Sequence, residues 1–165
     1  MKKIADTSLL KTIAGLIFWL SLCYLTAWFG AQFSPGIASS EWYESLNKPV
    51  WNPPSWVFGP VWTLLYTFMG IAVWLVWKKF GFKRAGKELG LFITQLVLNG
   101  AWSFIFFGLQ SPGWALIEIF LLLNMIVITT WFFREKNKLA AWLMVPYILW
   151  VGFAMMLNAA IWWMN

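Results

Sequence analysis

Five apolar runs, at residues 9–33, 57–77, 89–109, 114–133 and 139–164, leave this chain very few folds. Each is close to or above the roughly 20 residues that a helix rising 1.5 Å per residue needs to cross the hydrocarbon of a bilayer. Barrel strands would need alternating polarity in segments of about ten residues, and no such alternation is visible. Helices therefore have to satisfy the backbone, because lipid offers it no hydrogen bonds. Composition agrees: 61% of the residues are hydrophobic and 11% charged, whereas a soluble domain carries about 25% charged residues. The expected fold is all-α, one domain over residues 1–165, a bundle of five transmembrane helices joined by a long connection at 34–56.

Short polar or basic segments punctuate the runs. Lys78-Lys79 closes the second, Gln110-Ser111-Pro112-Gly113 separates the third from the fourth, and Arg134-Glu135-Lys136-Asn137-Lys138 the fourth from the fifth. With five crossings, Lys2, Lys3, Lys11, Lys78, Lys79, Lys83, Arg84, Lys87, Arg134, Lys136 and Lys138 fall on the amino-terminal side, and only Lys48 on the other. The positive-inside rule then places the amino terminus in the cytoplasm and the carboxyl terminus outside. The same clustering accounts for the net charge of +6 without a nucleic-acid partner. The first run is too long for a cleavable signal peptide and is read as an uncleaved helix. No organelle-targeting extension precedes Leu9, so the expected location is a bacterial plasma membrane. Cys23 lies inside an apolar run and has no second cysteine to pair with.

The connection at 34–56 exceeds the few residues that normally join packed helices. Pro49, Pro53 and Pro54 stiffen its second half, which carries Trp42, Tyr43, Trp51 and Trp56. Two readings stand: an interfacial aromatic belt, or a lid over a cavity.

Chemistry is constrained by what is missing. The chain has no histidine, no CxxC pair and no carboxylate cluster, which speaks against metal ligation. No serine or cysteine has a base to activate it, and no glycine-rich phosphate loop is present. Aromatic surface is abundant instead, with 15 Trp, 15 Phe and 4 Tyr. Trp77, Trp131, Trp162 and Trp163 fall where an interfacial belt would put them. Trp62, Tyr66 and Met69 share a face of the second helix; Gln95, Asn99 and Trp102 repeat that spacing on the third; Tyr147, Trp150, Ala154 and Leu157 form a stripe on the fifth. Such stripes describe either an apolar cavity with a few orienting amides or tight helix packing. Glu118, inside the fourth run, is costly there unless paired or protonated, and either a packing role or a ligand or proton-relay role fits it. Asn124 lies on another face. Pro146 removes a backbone bond from the fifth helix, leaving either a bend that opens space or a kink that neighbours fill. Gly100, Phe104 and Gly108, at four-residue steps, hint at a homodimer face.

These residues carry a resemblance. The segments Trp51-Asn52-Pro53-Pro54-Ser55-Trp56, Gly59-Pro60-Val61-Trp62-Thr63-Leu64-Leu65-Tyr66, Gln95-Leu96-Val97-Leu98-Asn99, Gly113-Trp114-Ala115-Leu116-Ile117-Glu118 and Val145-Pro146-Tyr147-Ile148-Leu149-Trp150 resemble the TspO/MBR family, the tryptophan-rich sensory and translocator proteins, also called peripheral-type benzodiazepine receptors. The resemblance implies a five-helix bundle that often forms a homodimer. It also implies a pocket beneath the first loop for porphyrins and haem-like tetrapyrroles, with sterols and benzodiazepine-type ligands in parts of the family, and a sensory, regulatory or transport role. Carried over by position, the pocket would involve Trp42, Tyr43, Trp62, Tyr66, Asn99, Trp150, Ala154 and Leu157. An alternative implied activity is light- and oxygen-dependent porphyrin breakdown, with Trp62 and Trp150 as the reactive indoles. Porphyrin is then ligand or substrate, and no cofactor is implied. The sterol pattern needs Tyr followed by Lys or Arg near the chain's end, and residues 158–165 offer neither, so sterol is not an expected partner. Without histidine to ligate iron, metal-free porphyrin is the expected form.

Overall fold

The computed structural model describes residues 9–33 and 41–165. Along the chain lie α1 (Leu9–Ala31), the short α2 (Glu41–Ser45), α3 (Ser55–Arg84), α4 (Gly86–Ser103) with a π-helical extension over Phe104–Gly108, α5 (Pro112–Lys136) and α6 (Lys138–Met164). All but α2 are long and apolar enough to cross a bilayer, giving five spans. Among the described residues there is no strand. The protein is an integral membrane protein built as a five-helix bundle.

Local chemistry sets the helix ends. Pro54 is extended (φ −58°, ψ 143°) and α3 starts at the next residue. Near its other end α3 turns a corner at Gly81, whose φ of +66° only glycine adopts without strain. The segment 78–88, expected as a connecting loop, is therefore mostly helical on both sides of a sharp bend. Pro112 opens α5, where its fixed φ suits a first turn and its missing N–H leaves nothing unpaired. Asn137 caps α6, its side-chain oxygen accepting from the N–H groups of Leu139 (3.0 Å) and Ala140 (3.2 Å).

Trp19, Met69, Phe92, Leu122, Ile126, Met144 and Tyr147 form the heart of the core. Helix α5 packs against α6 and α4, and α1 against α3. Close approach of α1 and α3 is set by glycines: Gly70 meets the side chain and backbone of Leu20, and Gly15 lies under the indole of Trp77. The Trp74 Nε1–H also donates to the Thr12 carbonyl across this contact, at 3.0 Å. Trp77 is thus drawn inward rather than left in the belt, whereas Trp131, Trp162 and Trp163 are exposed. The glycine stripe on α4 is used within the chain, since Gly100 faces Phe29 and Thr26 of α1 and Gly108 faces Phe33. That face no longer argues for a dimer.

The first part of the long connection, 34–40, lies outside the described residues. The rest is held down at several points. Lys48 Nζ donates to the carbonyls of Tyr43, Glu44 and Leu46 and sits over the Tyr43 ring. Asn165 clasps Asn47 from the far end of α6, accepting from its N–H and donating to its carbonyl, both at 3.0 Å. Trp51 packs edge-on against Phe153 of α6, with ring centroids 5.8 Å apart.

Candidate ligand cavity

Between the halves of α1, α3, α4 and α6 nearest α2 lies a cavity of about 460 Å³, capped by Tyr43 of α2. That volume falls within the ~300–1,000 Å³ usual for small-molecule sites. Three of these helices contribute a stripe at helical spacing: Phe58, Trp62 and Tyr66 from α3, Asn99 and Trp102 from α4, and Trp150, Ala154, Leu157 and Asn158 from α6. The π-helical turn adds Phe106 and Phe107. Its extra residue is visible in the bond from Leu109 N–H to the Phe104 carbonyl (2.8 Å), and Gln110 then takes φ +50° to end the helix.

The aromatic rings support one another. Trp62 lies 5.5 Å from Tyr66 and 6.3 Å, edge-on, from Tyr147. Trp150 is held between Phe58 (5.9 Å) and Phe153 (5.6 Å). Trp102 stacks on Phe106 at 5.1 Å. These contacts fix the ring planes in advance, which lowers the ordering cost of stacking a flat ligand on them.

Two hydrogen-bond bridges form the polar part of the site. At its inner end the Tyr66 hydroxyl donates to Asn99 Oδ1, and Asn99 Nδ2 donates to the Tyr147 hydroxyl at 2.9 Å. This joins three helices through groups that are almost wholly buried. Nearer α2, Trp102 Nε1–H donates to Asn158 Oδ1 (3.1 Å), and Asn158 Nδ2 donates to the carbonyl of Pro112 (2.8 Å). Over the top, the Tyr43 hydroxyl donates to Asn52 Oδ1 at 3.4 Å. Burial pushes the Tyr43 phenol above its usual value, and the bond to Asn52 pulls it partly back. No lysine, arginine, aspartate or glutamate is among the described lining residues.

Of the residues singled out from sequence, Tyr43, Trp62, Tyr66, Asn99, Trp150, Ala154 and Leu157 come together around this space. Trp42 does not. It turns to a second, shallower hollow with Pro112, Trp114 and Trp162, and packs edge-on against Phe106. Met69 and Gln95 lie in the core and do not line the cavity; neither end of the Gln95 amide has a partner among the described residues. Glu118 is only 8% exposed, lies outside the lining, and has both carboxyl oxygens unpartnered among the described residues. Asn124 is exposed and donates to the Phe120 carbonyl of its own helix. Tyr24, Phe58, Phe106, Phe107 and Asn158 were not among the expected site residues. Asn158 was within reach, since it lies four residues beyond Ala154 on the same stripe.

Comparison with known proteins places this architecture. The model of the TspO/MBR family matches residues 18–164. The Tryptophan-rich protein TspO of Chlorobaculum tepidum is 43% identical over 94% of this chain and 98% of that protein. The Translocator protein of Homo sapiens is 42% identical over 84% of this chain and 82% of its own length. The Tryptophan-rich sensory protein of Cereibacter sphaeroides is 36% identical, over 85% and 84% respectively.

Proposed function

The chain belongs to the TspO/MBR family, and on that premise we propose that its cavity binds a porphyrin, stacked on the indoles of Trp62 and Trp150. Membership carries a receptor- or translocator-like role in the membrane. The finer reading concerns what is received. One observation carries it: Trp62, Tyr66, Trp102 and Trp150 converge on a single space without ionic groups among its described lining. A flat apolar macrocycle matches such walls, and the few amides and hydroxyls suffice to orient it. With no histidine in the chain, a metal-free porphyrin fits better than haem. The basic end of the bundle faces the cytoplasm in this reading, so the cavity opens toward the outer half of the bilayer.

Titrating the purified protein with protoporphyrin IX tests the proposal through tryptophan fluorescence. Saturable quenching is expected, and Trp150→Ala weakens it by on the order of 1–3 kcal/mol. Non-saturable quenching identical in wild type and variant overturns it. A second reading, oxidative porphyrin breakdown by light and oxygen, is favoured by the presence of both Trp62 and Trp150 in one cavity. Illumination of the complex in air decides between them: loss of porphyrin that disappears in Trp62→Phe at unchanged affinity marks an enzyme, and recovery of intact porphyrin marks a binder.

A further inference from the structure

We propose that the cavity exchanges its ligand sideways with the bilayer, in uncharged form, through an opening between α1 and α3 whose inner edge is the Tyr24–Thr67 hydrogen bond. The inference rests on the ligand-binding reading above and adds the route and the charge state of the ligand.

The two helices are locked together toward the basic end, and toward the other both line the cavity. Below, Gly70 meets Leu20 and Gly15 meets Trp77. Above, α1 presents Ala27, Gly30 and Ala31 to the cavity, and α3 presents Gly59 and Thr63. A Cβ built on Gly59 meets none of the described residues within 4 Å, so the α3 side of this space is open at Gly59. Stripes of small residues ordinarily let membrane helices touch. Here the space between them is part of the cavity instead.

The residues along this gap reach the outside of the bundle. Tyr24 lines the cavity and is 40% exposed, and Gly59 and Thr63 are likewise both lining and exposed. The exposed polar groups are already satisfied: Thr63 Oγ1 donates to the Gly59 carbonyl (2.9 Å) and Thr67 Oγ1 to the Thr63 carbonyl (2.7 Å). Tyr24 and Thr67 hydroxyls meet across the gap at 2.7 Å and form its sill. A hydroxyl bonded to its own helix costs little in lipid. Hydrocarbon can therefore reach this edge, and a ligand dissolved in it meets no unsatisfied polar barrier. An ionised ligand would lose its hydration without meeting a counter-charge among the described lining residues.

Reconstituted full-length protein tests the route. Protoporphyrin IX dimethyl ester, supplied from donor vesicles, is followed by stopped-flow tryptophan quenching. Gly59→Trp fills the gap and is expected to slow both association and release by about tenfold or more, and Tyr24→Phe to speed both by a few-fold. Exchange in Gly59→Trp at the wild-type rate overturns the route. A second readout needs no porphyrin: in a Cys23→Ala background, Ala154→Cys should react with a bilayer-dissolved pyrene maleimide, and adding Gly59→Trp should protect it. Labelling by a membrane-impermeant charged maleimide alone overturns the proposal. Failure of porphyrin to bind at all sinks the ligand assignment, while the labelling arm still decides the route.

Discussion

Asn99 uses both ends of its amide to hold tyrosines from two other helices. Asn99→Leu keeps the volume and strands both hydroxyls, each of which costs about 1–3 kcal/mol when buried without a partner. The expected result is a loss of ~2–4 kcal/mol in unfolding from mixed micelles, partly recovered when Tyr66→Phe and Tyr147→Phe are added. Tyr66 and Asn99 were legible in sequence because each recurs at helical spacing with aromatic neighbours. Asn158 continues the stripe of Ala154 and was legible by the same spacing, but its bonds to Trp102 and to the Pro112 carbonyl were not. Gln95 misled in the opposite way: its polarity and spacing place it on the Asn99 face, but the bundle has already closed at its level.

At the scale of the helix, the contact of α1 with α3 depends on an absent side chain. A methyl on Gly70 would lie 2.7 Å from Leu20 Cδ2 and 3.2 Å from its Cα, so the helices would have to move apart. Gly70→Ala should therefore cost about 1–3 kcal/mol. Gly90→Ala, made in the second turn of α4 where none of the described residues lies within 4 Å, should instead stabilise by ~0.5–1 kcal/mol through helix propensity alone. Both are read in the same unfolding assay. Five long helices could be read from hydropathy because lipid demands length and apolarity of each. The π-helical turn could not, because no side chain announces an extra residue in a helix, yet Phe106 and Phe107 reach the cavity from it. Nor was α2 legible: five residues with two glutamates look like loop, and their helix is held by Lys48 at its end.

For the molecule as a whole, charge asymmetry and an odd number of crossings make a testable statement about orientation. A reporter fused after Asn165 should be active only outside the cytoplasm, and a tag inserted near Lys83 should be reachable only from within it. The aromatic and amide stripes of α3, α4 and α6 that meet at the cavity were visible in sequence, whereas the α1 side of its wall was not. What sequence could not supply was which stripes share a space, a matter of packing between distant segments; Tyr43 borders the cavity and Trp42 a different hollow. The absence of ionic side chains from the described wall has one more consequence. Filling the site with a neutral molecule moves no elementary charge through the transmembrane electric field, so occupancy should be the same in an energised membrane and a depolarised one.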